Sequence, residues 1–216
     1  MAGVPNGTLT GLALDSHGVW SGGNYFVENG RITGDGTASI GWVIEEGLGD
    51  DYLLEMSAVI AEGATARFGY LGEQNSSQTL DSDLTELGMS ITRLSATELE
   101  WSVSWNMDDG SRQDFSSTLT TQTDTTDEPI LLQLGWEDVA ASNNDLFDAW
   151  IETSEGSSRL LAGNMATSID VQAIGLELEG EGVSVTNFRA AVPEPTSLGL
   201  TFIAFLGLLG TRSRRS

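Results

Sequence analysis

LEWSVSWNM, residues 99–107, sets Leu99, Trp101, Val103, Trp105 and Met107 on one side of an extended chain and Glu100, Ser102, Ser104 and Asn106 on the other. Successive side chains of a strand point to opposite faces, so this period of two describes a half-buried β-strand with an aromatic inner face. Asp108, Asp109 and Gly110 follow as a turn, and the polar stretch to Thr126 returns as a weaker, edge-like strand. Working outward, a hairpin is predicted at Phe26–Ile32, where Asn29-Gly30 supplies the positive-φ pair of a type I′ turn. Further strands are predicted near Ser39–Ile44, Tyr52–Ile60, Thr65–Leu71, Gly88–Leu94, Ile130–Trp136, Leu146–Glu152, Ile169–Glu179 and Val183–Ala191. Many short strands, no helix-period segment and no internal repeat predict an all-β body of two packed antiparallel sheets.

Composition limits what such a body can do. The 216 residues carry 32 acids against nine basic side chains, all arginine, for a formal charge of -23. Three of those arginines lie in the last five residues, so the preceding chain is more acidic still. Such a field repels phosphate backbones, which excludes nucleic acid as a partner. With no cysteine and one histidine, His17, zinc and thiol chemistry are excluded and a Ser–His scheme has no GxSxG elbow to build on.

The C-terminus has a different character. From Pro195 to Thr211 the chain runs without a charge, and Arg212, Arg214 and Arg215 follow at once. A helix of that length spans about 25 Å, and a basic cluster abutting it is held on the cytoplasmic side. With Pro193, Glu194 and Pro195 before it, this order of elements resembles the PEP-CTERM sorting signal. The resemblance implies a Gram-negative source, a hydrophobic helix anchored in the inner membrane and processing by an exosortase, with the body delivered to the cell envelope or beyond. The domains expected are therefore a β-sandwich over residues 1–191 and a sorting tail over 192–216. The first twenty residues have neither a basic nor an apolar signal-peptide region. That leaves open a mis-assigned start, a truncated chain and a decaying gene.

Within the body, WSGGNYFVENGRITGDG, DLFDAWIETSEG and LELEGEGVSVTNFRAA together resemble the concanavalin A-like, or laminin-G-like, jelly rolls. That resemblance implies a two-sheet antiparallel sandwich and a choice between polysaccharide-binding modules and glycoside hydrolases or lyases. Laminarinase-type members place Glu, Asp and Glu at alternate positions of one strand. The matching string ELEWSVS offers Glu98 and Glu100 and then Ser102, so a paired-carboxylate site is not expected. Calcium, which takes six to eight oxygen ligands, is the one metal expected, with Asn143, Asp145 and Asp148 as its first candidates. Sugar stacking requires exposed rings, and Trp20 and Tyr25, in loop-like surroundings, are the candidates for it. The expected function is an exported, non-catalytic surface or matrix module with polysaccharide as its ligand; the alternative is a polysaccharide-active enzyme of the same fold.

Overall fold

The computed structural model describes residues 7–8, 23–41, 51–72, 80, 85–107, 110–137, 145–165 and 171–191. Among them run thirteen strands. They are β1 (Gly7–Thr8), β2 (Asn24–Glu28), β3 (Arg31–Gly41), β4 (Asp51–Ile60), β5 (Thr65–Leu71), β6 (Thr85–Ser95) and β7 (Glu98–Asn106). There follow β8 (Arg112–Thr120), β9 (Ile130–Glu137), β10 (Leu146–Thr153), β11 (Gly156–Asn164), β12 (Ala173–Glu179) and β13 (Val183–Ala191). No described helix is long and apolar enough to cross a membrane, and the sorting tail lies outside the described residues.

The ladders are antiparallel and follow the order β11-β10-β9-β4-β13-β3-β12-β5-β6-β7-β8, with β2 and β1 branching from β3. One strand joins the two sheets. The first half of β3 pairs with β2 and, at Ile32, with Val185 of β13, whereas Gly36–Gly41 pair with β12. The first sheet is therefore β1, β2, β3, β13, β4, β9, β10 and β11, and the second is β3, β12, β5, β6, β7 and β8. The predicted two-sheet antiparallel sandwich is observed. The expected hairpin turn is present too, with Asn29 at φ 52° and Gly30 at φ 77°.

Alternation fills the interior. Leu99, Trp101 and Val103 of β7 face Leu54, Met56, Leu132, Leu134 and Ile151 in one continuous core. Apolar contact is not directional, so alignment between the sheets falls to polar groups that cross it. Tyr70 of the second sheet donates its hydroxyl to the Leu134 carbonyl of the first at 3.1 Å, and its ring meets Trp136 edge-on. Tyr25 of the first sheet accepts the Leu178 amide of the second at 2.8 Å. Burial raises the pKa of both phenols, so both stay neutral.

Arg93 forms the third crossing and is 0% exposed. Its Nε donates to the Ile60 carbonyl at 2.6 Å, and its terminal nitrogens donate to Ala96 O at 3.2 Å, Thr125 Oγ1 at 3.2 Å and Thr125 O at 3.0 Å. Desolvation lowers its pKa and the nearby Asp124 opposes that shift. One guanidinium thus ties the end of β4, the β6–β7 turn and the β8–β9 connection. Glu155, in the β10–β11 turn, holds the same connection from outside. It accepts the Gln122 amide at 2.8 Å, the Thr123 amide at 2.7 Å and the Thr123 hydroxyl at 2.8 Å.

Arg93→Met leaves buried carbonyls without donors, and the expected loss is about 3–5 kcal/mol of unfolding free energy, read by denaturant titration. Arg93→Lys recovers only part of it, because an ammonium cannot reach three segments. A cost under about 0.5 kcal/mol, the scatter of surface substitutions, would refute the staple.

The bonds to Glu155, the Gln122 amide foremost, hold its carboxyl below the usual glutamate range. A depressed folded pKa gives stability that is full above the unfolded value and lost as pH falls through the folded one. Glu155→Gln is therefore expected to melt below the wild type at pH 7 and to converge with it in acid. A gap that stays constant from neutral to acid pH rules this out.

Candidate functional site

The outer face of the second sheet is built from small polar residues. Ser90 of β6 pairs with Ser102 of β7, and Gly88 with Ser104, so the strand phase that buries Met89 and Val103 turns these four outward. The Ser90 and Ser102 hydroxyls are 2.8 Å apart. They floor a groove of about 230 Å³ bounded by Arg67 and Leu80 on one side and Arg112 and Asp114 on the other.

Two features keep this floor low. Gly88 lies opposite Gly69 of β5, where a β-carbon would sit 2.5 Å from the Leu87 carbonyl oxygen, so the close approach of these strands requires glycine. The wall at Leu80 is held by Glu177 of β12, a buried carboxylate that accepts the Leu80 amide and the Arg67 guanidinium, each at 2.8 Å. Arg67 also reaches Glu179 at 2.9 Å. At the opposite side Arg112 pairs with Asp114 at 3.2 Å and donates to the Ser104 hydroxyl. Each end of the groove is thus a fixed cation with its own carboxylate, and the floor between carries hydroxyls that can both donate and accept.

The sequence-predicted site residues fare unevenly. Tyr25 is corrected: it is 1% exposed and belongs to the core, while its neighbour Phe26 is 56% exposed. The strand begins at Asn24, two residues before the predicted hairpin, so Tyr25 falls within it and its alternation turns the ring inward. Asp145 and Asp148 do not converge on a common ion. Asp145 is buried and accepts the Trp136 indole N–H at 2.9 Å. Asp148 lies on the outer face of β10, where Arg159 takes its two oxygens at 2.7 and 2.9 Å. Among the described residues no group of three His, Asp or Glu side chains is placed to hold a metal. Asn143, Trp20, His17, Pro193, Glu194, Pro195, Arg212, Arg214 and Arg215 lie outside the described residues. Glu98 and Glu100 stand on the outer side of β7, and neither lines the groove, whose described carboxylate is Asp114.

The sequence matches no family model and no curated protein. Its fold is similar to the legume lectin-like domain from Entamoeba histolytica, with a TM-score of 0.55 and 12% identity over 80% of this chain and 89% of that one. The likeness shows the fold, a two-sheet jelly-roll sandwich. The Ca2+/Man3GlcNAc-bound lumenal domain of VIP36 matches at a TM-score of 0.48 and 10% identity, covering 80% of this chain and 83% of that one. A Bacteroides ovatus mixed linkage glucan GH16 solved in complex with its product matches at 0.45 and 9%, covering 78% and 85%.

Replacing Glu177 with Ala is expected to cost about 1–3 kcal/mol and to speed hydrogen exchange of the Leu80 amide about tenfold or more. An unchanged Leu80 exchange rate would mean that the wall is held by something else.

Proposed function

We propose that the chain is an exported, non-catalytic β-sandwich module that binds a neutral polysaccharide in the serine groove. The observation that carries this reading is the groove itself. Ser90 and Ser102 offer hydroxyl partners along the floor, Ser104 is buried and bonded to Arg112, and the Arg67–Glu177 and Arg112–Asp114 pairs give fixed donors and acceptors beside it. Such alternating donors and acceptors suit the diols of a sugar chain. The formal charge of -23 supports a neutral ligand over an anionic one.

Absence of turnover is supported by the carboxylates. Glycoside hydrolysis by a residue pair requires two carboxyl groups facing the bond. The described groove contributes Asp114, already paired with Arg112. The resemblance of the tail to exosortase substrates supports export and passage through the inner membrane, and with them a place in the envelope or the extracellular matrix.

Titration of the full chain, in detergent, with neutral gluco- and manno-oligosaccharides tests the groove. Binding without release of reducing ends is expected, together with weak or no binding of an oligouronate and loss of the groove site in Ser102→Trp. Release of reducing sugar, or a preference for the uronate, overturns the reading. For the tail, residues 192–216 fused behind an exported reporter are expected to be cleaved in a host carrying an exosortase and left intact in its deletion strain. Equal processing in the two strains would dismiss the sorting assignment.

A further inference from the structure

A cleft of about 490 Å³ is lined on the outer face of the first sheet by Gly135, Asp148, Arg159 and Ala162, turned away from the serine groove. Register explains why it is open. Gly135 of β9, Asp148 of β10 and Ala162 of β11 stand side by side, so Asp148 has no side chain on one flank and a methyl on the other. Gly135 differs from Gly69. A β-carbon there would approach nothing closer than 3.6 Å, so strand packing does not demand glycine at this position. A strand glycine that packing does not need weakens the strand and leaves space above it.

A bulge then furnishes the space. Ala149 pairs with Leu161 and Trp150 with Arg159, so Leu160 is the extra residue of β11. The extra residue lets Arg159 and Ala162, three apart in sequence, share the outer face, while Leu160 and Leu161 pack against the core. Arg159 spans to Asp148 through two hydrogen bonds and lies over the Trp150 ring, 5.8 Å from its centroid. Along β10 the outer face therefore reads Leu146, Asp148, Trp150, with the two apolar members 38% and 36% exposed; Leu146 and Asp148 line the cleft, and Trp150 continues the row beyond it. At strand rise that row is about 13 Å long, more than one pyranose ring.

We propose that this trough is a second carbohydrate site, taking a neutral pyranose chain whose apolar C–H faces rest on Leu146 and Trp150 while a hydroxyl pair meets the Asp148–Arg159 ion pair. A pyranose matches the row because it alternates apolar ring faces with equatorial diols. An anionic sugar would meet Asp148 and Glu137 at close range within a strongly acidic protein. The trough stands apart from the serine groove; only the consequence, a module with a site on each face that can bridge two polysaccharide chains, rests on the function proposed above.

The test titrates the detergent-solubilised full chain with the same neutral oligosaccharides by calorimetry, and follows turbidity with a soluble neutral glucan. Two sites are expected in the wild type. Gly135→Leu, which fills the trough, and Trp150→Ala each remove or weaken one of them about tenfold or more, and each abolishes the turbidity. Ser102→Trp removes the other site. If Ser102→Trp has no effect while the trough variants lose binding, the groove reading fails and the trough stands. If both trough variants keep the wild-type stoichiometry and affinity, or if the wild type binds no neutral oligosaccharide, the trough is refuted. Should Gly135→Leu fail to fold, Trp150→Ala decides alone, since its half-exposed ring holds no part of the core.

Discussion

A guanidinium with no exposed surface holds the sandwich where its two sheets would otherwise slide. Apolar packing brings the sheets together without choosing their alignment, and the β8–β9 connection must cross from an edge of one sheet to the interior of the other. Arg93 fixes that crossing because its donors diverge in one plane and reach three separate segments. Lysine would offer a single point of charge, and this chain has none. Burying a cation ordinarily costs several kcal/mol. Here the carbonyls around it and the acidic body beyond it offset that cost. Tyr70 and Tyr25 repeat the device elsewhere with neutral hydroxyls, each bonded to the backbone of the opposite sheet.

The parts of the fold legible in the sequence are those whose apolar and β-branched residues stand between turn-forming residues. Thr65–Leu71 and Val183–Ala191 coincide with predicted strands from end to end, and Leu99–Met107 is shifted by one residue. β11 was not legible, because its bulge sets Leu160 beside Leu161 and breaks the period of two, and its Gly-Ser opening reads as loop. The sheet change in β3 was hidden for another reason. RITGDGTASIG continues as one extended segment through it, and only the pairing partners differ. Tyr25 is misplaced because a hairpin predicted to start at Phe26, two residues late, leaves in a loop a ring that the strand carries into the core.

The groove was half legible. Ser102 and Ser104 fall on the polar side of the opening stretch, and that side is the one the structure turns outward. What makes a groove of it is the wall at Leu80, and that depends on Glu177, 97 residues away in sequence. The Arg67–Glu177 pair spans 110 residues. Such contacts leave no local periodicity. Trp150 illustrates the same limit on the other sheet: alternation along β10 turns its ring outward, but its contact with Arg159 follows from the bulge in β11.

The placement of arginine connects charge with recognition. Arg67, Arg112 and Arg159 each line a cleft and each is bonded to a carboxylate, so the clefts are locally balanced while the rest of the surface is acidic. Fixed ion pairs of this kind present hydrogen-bonding groups in set directions but exert little pull at a distance, because their fields cancel beyond a few ångströms. The acidic excess acts over a longer range and disfavours anionic polymers before contact. A neutral polyhydroxyl chain is indifferent to that field and is met by the pairs only at close range. In the proposed function, selection by charge and recognition by hydrogen bonding thereby fall to different residues, which allows the surface to be this acidic without weakening either cleft.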